Sequence, residues 1–234
     1  MNMKLSDNTL NLLKNFSSIN PSLLFKQGNS LRTMSVAKNI LAEVEITEEF
    51  PNDFAIYDLN QFLNTLNLHK DPELDFANDS YVTVREGKTR SKYFFADPNV
   101  IVAPPDRELK LPSEDVCFEM NSDHLSKIMK ASAILQLSDL SVVGEAGVVK
   151  MVARDKKNDT SHDFSIIVGE TEDEFCFNFK VENIKILPGS YEVVISKDLL
   201  TRFVCKDYNL TYFISLELDS PGFTSENAKE LVTA

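Results

Sequence analysis

The sequence predicts an α+β protein built from two similar domains, each an antiparallel sheet carrying paired helices. Three observations predict it. Short segments alternating apolar and polar residues dominate the chain, and they follow one another too closely for the helical crossovers that parallel sheets require. Only four segments show helical periodicity, two in each half of the chain. Between the halves, Asp97 to Ser113 contains Pro98, Pro104, Pro105 and Pro112, whose missing amide donors and restricted neighbours disfavour any regular element. That stretch reads as an extended connector. The domains are accordingly placed at 1–110, which takes in most of the connector, and at 111–234.

Taken in order, the first helix begins near Ser6 and buries Thr9, Leu12, Leu13 and Phe16 at helical spacing. Leu41 to Ile46 alternates apolar and acidic residues and predicts a strand. The second helix begins at Asp58 and buries Leu59, Phe62, Leu63 and Leu66. Strands are expected at Tyr81 to Val84 and at Val116 to Met120. A third helix, starting at Asn121 or Ser122, buries Leu125, Ile128 and Met129. Further strands follow at Val148 to Ala153, Phe175 to Phe179, Tyr191 to Ile195 and Leu210 to Leu218. A fourth helix is predicted from Ser196, burying Leu199, Leu200 and Phe203. Gly87, Gly144, Gly147 and Gly169, with Asn78-Asp79 and Asn158-Asp159, punctuate the strands at hairpin-like intervals. Each half thus repeats one arrangement, although no residue-level repeat accompanies it.

A chain of 234 residues that is 43% hydrophobic and 26% charged can bury a proper core in every domain. No apolar run approaches the roughly 18 residues of a membrane span, and the N-terminus lacks signal-peptide features, so a cytoplasmic protein is expected. The three cysteines, Cys117, Cys176 and Cys205, are far apart in apolar or strand-like sequence and read as buried thiols.

A formal net charge of −12 opposes coating by nucleic acid, unless a local surface escapes it. The helices are where such a surface would lie. The third helix puts Lys127 and Lys130 opposite its apolar side, and the first puts Lys4, Asn11 and Lys14 away from the core. The fourth offers Lys197 and Arg202, with Lys206 just beyond, while the second exposes the uncharged Asn60, Gln61, Asn64 and Asn67. Carboxylates concentrate elsewhere, in Glu43, Glu45, Glu48 and Glu49 and in Glu170 to Glu174. Lysines of this kind ordinarily solvate a helix. If all the helices shared one surface, however, it would attract phosphate without reading bases. No aromatic-rich basic strand suited to stacking single-stranded bases occurs.

Catalytic signatures do not emerge. Phosphate-binding glycine loops are absent, His69, His124 and His162 are isolated from one another and from the cysteines, and Glu170 to Glu174 lacks the ligand pattern of a calcium loop. No metal or cofactor is expected, and the protein is read as a non-enzyme. From these features alone, an acidic protein-interaction scaffold that does not encircle DNA is the alternative.

Several stretches carry a resemblance. They are Met3-Lys4-Leu5-Ser6, Leu12-Leu13-Lys14-Asn15-Phe16 with Ile19-Asn20, and Ala55-Ile56-Tyr57-Asp58-Leu59-Asn60 with Phe62-Leu63. Ala96-Asp97-Pro98, Val102-Ala103-Pro104, Phe177-Asn178-Phe179 and Pro188-Gly189-Ser190-Tyr191 continue it. In order and spacing, from about residue 3 to about residue 220, the chain resembles the sliding clamp of T-even-type bacteriophages, the processivity factor of their DNA polymerase. The resemblance implies the DNA clamp fold and a closed homotrimeric ring of two-domain subunits, with duplex DNA passing through a hole lined by helices. It also implies an ATP-driven clamp loader, tethering of the replicative DNA polymerase, a role as mobile activator of late transcription, and action in the cytoplasm of an infected bacterial host. Under it, Lys4, Lys14, Lys127, Lys130, Lys197, Arg202 and Lys206 become DNA-facing candidates. Val100, Ile101, Val102 and Leu218 become candidates for a partner-peptide pocket. The chain departs from the family pattern at Ser196 to Asp207. It also departs at Pro221 to Ala234, an extension with an amphipathic stretch from Ser225 to Val232.

Overall fold

The computed structural model describes residues 2–158 and 160–224. The chain divides into two compact units, Met1–Glu108 and Leu109–Ala234. The first contains β1 (Asn2–Met3), α1 (Asp7–Ile19), β2 (Leu23–Phe25), β3 (Gly28–Met34), β4 (Ile40–Phe50) and β5 (Phe54–Ile56). It continues with α2 (Leu59–Leu66), β6 (Glu73–Asp75), β7 (Tyr81–Glu86) and β8 (Thr89–Phe94). Strands β1, β6, β7 and β8 form an antiparallel sheet in that order, leaving β8 at an edge. β3 pairs with β4 as a hairpin and β2 with β5.

Local chemistry starts both helices. Ser6 caps α1, its hydroxyl accepting from the Thr9 amide at 3.2 Å, and Asp58 caps α2 by accepting from the Gln61 amide at 2.8 Å. Glu48 on β4 completes the first cap, accepting from the Ser6 amide and from the Thr9 hydroxyl. The helices then bury Leu12, Leu13, Phe16, Phe62, Leu63 and Leu66 against each other and the strands. Beneath them, Phe25 stacks on Phe54 at 4.5 Å, and Phe50, Phe76 and Phe95 close the cluster. Asn20 and Arg32 fasten the connector to this unit. The Asn20 amide donates to Val102 O at 3.0 Å, and the Arg32 guanidinium donates to Pro105 O at 2.8 Å.

The second unit contains β9 (Val116–Met120), α3 (Ser122–Leu135), β10 (Asp139–Glu145), β11 (Val148–Arg154), β12 (Phe164–Glu170) and β13 (Phe175–Lys180). It ends with β14 (Tyr191–Ser196), β15 (Leu200–Cys205), β16 (Leu210–Ser215) and β17 (Gly222–Phe223). One antiparallel sheet runs β12-β11-β10-β13-β17, and β16-β15-β14-β9 are neighbours in another. α3, capped by Asn121, packs over β11 and β12. Ala146 and Gly147 both sit at positive φ, as the tight β10–β11 hairpin requires. At Gly144 a Cβ would meet the Phe175 ring at 2.5 Å, so only glycine lets β13 approach.

The fold class is as predicted, with one element overturned. No helix begins at Ser196. Residues 200–205 form β15, antiparallel to β14 and β16. Helical spacing of Leu199, Leu200 and Phe203 suggested a helix. The competing alternation of buried Thr201, Phe203 and Cys205 with half-exposed Arg202 and Val204 is the one the sheet uses. Met129 is only half-buried, and Ser132 takes its place in the apolar side of α3. Of the thiols expected to be buried, Cys205 is, Cys176 is half-buried and Cys117 is exposed at an outward position of β9. The amphipathic stretch Ser225 to Val232 lies outside the described residues.

Candidate nucleic-acid interface

Each unit presents a candidate surface of its own. In the first, Lys14 and Asn11 stand exposed on α1, and α2 adds Asn60, Gln61 and Asn64. Lys4 precedes α1 and donates to Asp71, an exposed pair that raises its pKa and shares its charge. In the second unit Lys127 and Lys130 lie exposed on α3, with Lys127 also 2.6 Å from Asp123 one turn earlier. Together the three helices carry Asp7 and Asp123 against Lys14, Lys127 and Lys130, a net charge of +1 on a chain of net −12.

The remaining candidates lie apart from the helices. Lys197 sits in the β14–β15 turn, where its amide donates to Asp115 at 2.9 Å. Arg202 projects from β15 to Glu114 at 3.0 Å and Glu192 at 3.9 Å, while Lys206, just beyond β15, pairs with Glu119. These three acids and Cys117 surround the two cations on the outward side of β9, β14 and β15. Three carboxylates against two cations leave this side net −1. Partial burial and the nearby Glu192 and Glu114 carboxylates push the Cys117 thiol pKa up.

The partner-pocket candidates differ in availability. Val100 is 58% exposed in a short 3-10 turn and Leu218 is 90% exposed, whereas Ile101 is buried. Val102 is half-buried, its carbonyl engaged by Asn20. Sequence reasoning missed two other apolar features. Tyr57 and Phe94, each 66% exposed, border an open groove of about 540 Å³ beside edge strand β8, with Asp58, Gln61 and Lys92. Ile167, 60% exposed, marks β12, the edge of the second unit's sheet. Neither strand was among those that alternation predicted, and only the strand order shows that both are edges.

Among the described residues no group of three or more His, Cys, Asp or Glu is placed to hold a metal ion. No helix among them is long and apolar enough to cross a membrane.

Comparison with known proteins gives consistent matches along the chain. The family model for DNA polymerase processivity factor matches residues 5–103, and that for the gp45 sliding clamp, C terminal, matches 117–218. The sliding clamp of Vibrio phage KVP40 is 35% identical over 222 residues, covering 92% of this chain and 99% of that protein. The sliding clamp of Enterobacteria phage T4 is 30% identical over 227 residues, covering 93% and 98%. Among solved structures, A. fulgidus PCNA superposes with a TM-score of 0.67 at 15% identity, covering 94% of this chain and 98% of that one. A Pseudomonas aeruginosa DnaN sliding clamp superposes at 0.66 and 15% identity, covering 93% and 65%. Those two likenesses concern the fold. The identities across nearly the whole length place the chain in the family of T-even-type phage sliding clamps, the processivity factors of DNA polymerase.

Proposed function

We propose that the chain is one subunit of a homotrimeric ring that encircles duplex DNA and tethers the replicative DNA polymerase, acting in the cytoplasm of an infected bacterium. The observation that carries this reading is the charge contrast: helices of net +1 on a chain of net −12. An acidic exterior repels DNA everywhere except along such a lining. Lys14, Lys127 and Lys130, with Asn60, Gln61 and Asn64, contact phosphate directly or through water, and such contacts exchange as the ring moves. Lys4, just before α1, extends this set, while Lys197, in the β14–β15 turn, stands off the helices. Arg202 and Lys206 are left out of it, because they lie on or just beyond β15 and not on a helix, where Glu114, Glu192 and Glu119 outnumber them.

Head-to-tail closure needs two different edges, and β8 and β12 supply them. Unpaired strand edges carrying exposed Phe94 and Ile167, with Tyr57 nearby, are costly on a lone subunit and suited to burial by a neighbouring copy. An ATP-driven loader opens one such joint, and Val100 and Leu218 are the exposed apolar contacts open to a partner peptide. Serving as a mobile activator of late transcription extends the same ring to a second machine. Sedimentation equilibrium tests the assembly. A trimer that Phe94→Asp converts to monomer is expected, while a strict monomer at high micromolar concentration would return the protein to a scaffold role.

A further inference from the structure

Beyond residue 218, where the match to the C-terminal clamp model ends, the chain continues onto the edge of a sheet. After β16 the chain turns onto the free edge of β13. The Glu217 amide donates to Asn178 O at 2.8 Å, Gly222 and Phe223 pair with Cys176 and Phe175, and the Thr224 amide donates to Glu174 O at 3.0 Å. The Asn178 amide finds no strand carbonyl here. It donates instead to the Ser220 hydroxyl at 2.9 Å. Two side chains anchor the segment: Asp219 accepts from Lys156, and the Phe223 ring lies 5.5 Å from Phe175 and 5.7 Å from Phe177, both of which are buried.

This pairing is irregular. It has two ladder residues, a serine hydroxyl standing in for a carbonyl, and Gly222 at φ +70. A ladder so short is marginal by itself, and its hold comes from the acid and the aromatic ring. Those are also the features a second peptide could reproduce.

We propose that the β13 edge, with Lys156 at one end and the Phe175–Phe177 surface at the other, is a strand-docking site. The chain's own residues 217–224 occupy it in cis. An extended partner segment carrying a carboxylate followed four residues later by an aromatic residue, the spacing of Asp219 and Phe223, takes their place by adding a strand to the sheet. The cis segment then acts as a competitor that keeps the edge from pairing indiscriminately. This goes beyond the ring reading and does not depend on it.

The test uses the full chain and a fluorescent synthetic peptide of residues 217–224. With wild-type protein, anisotropy should report little binding, because the tethered segment outcompetes the free one. Full-length Phe223→Ala, with the cis occupant weakened, should bind the peptide at least tenfold more tightly, and a peptide carrying the same substitution should fail to bind. Hydrogen exchange run alongside should show faster exchange at the segment's own Glu217 and Thr224 amides in the Phe223→Ala chain, with α3 unchanged. Absence of peptide binding to both chains, with those amides still protected, would overturn the proposal and make the segment a fixed part of the fold. Protection that rises with protein concentration would overturn cis occupancy, since the occupant would then be another copy's segment.

Discussion

Asp139 lies 1% exposed at the start of β10, and its carboxylate accepts from Lys180 Nζ, the Ser138 hydroxyl and the Lys156 amide. Burial alone would push its pKa up, but these donors outweigh it and leave the group below its ordinary value. A depressed carboxylate contributes stability above its unfolded pKa and loses it as pH falls through the folded value. Asp139→Asn should therefore cost about 2 kcal/mol in urea denaturation at pH 7, less than for a fully buried pair because Lys180 remains partly solvated. The variant and parent should converge in acid. An equal difference at every pH would contradict this account. Glu48 follows the same sign: burial raises it, while the Ser6 amide and the Thr9 hydroxyl hold it down. Glu48→Ala should cost about 1 kcal/mol by uncapping α1, measurable as a lowered melting temperature that acid abolishes. Neither partnership was legible in the sequence. Ser6 announces its cap within four residues, but Glu48 reaches it from β4, and nothing local links Asp139 to Lys180.

Elements were legible where one periodicity ruled. α1, α2 and α3 each have a polar cap and apolar residues at helical spacing, and β9, β11, β13 and β14 were marked by alternation or apolar runs bounded by turns. Residues 196–205 satisfied both patterns, and the register with β14 and β16 decided it. That reassignment divides the basic candidates into two classes with different expected behaviour. Replacing Lys14, Lys127 and Lys130 together by alanine should shorten retention on DNA and flatten its salt dependence, because three phosphate contacts per subunit are lost. Replacing Arg202 and Lys206 should leave both unchanged and cost at most about 1 kcal/mol of stability, as exposed ion pairs do. Retention assays across a salt series distinguish the two sets, and equal losses would mean that β15 also faces DNA.

For the whole molecule, composition supplied the acidic total, and the helices supplied the exception to it. The proline-rich stretch at 97–113 was visible as a break in regular structure. Its fastening by Asn20 and Arg32 was not, because those contacts span more than seventy residues. Edges were likewise invisible until strand order exposed β8 and β12. Ring closure through those edges predicts that Ile167→Asp, on the β12 edge, also yields monomers, and that neither variant alone unfolds the subunit. Sedimentation together with a melting curve checks both parts.

Topological retention tests the central claim most directly. Protein assembled on circular duplex DNA, by the loader with ATP, should survive a high-salt wash and be released when a restriction enzyme linearises the circle, because enclosure needs no tight contact. Loss of the protein in salt irrespective of DNA topology would show surface binding instead, and would contradict a ring that encircles DNA.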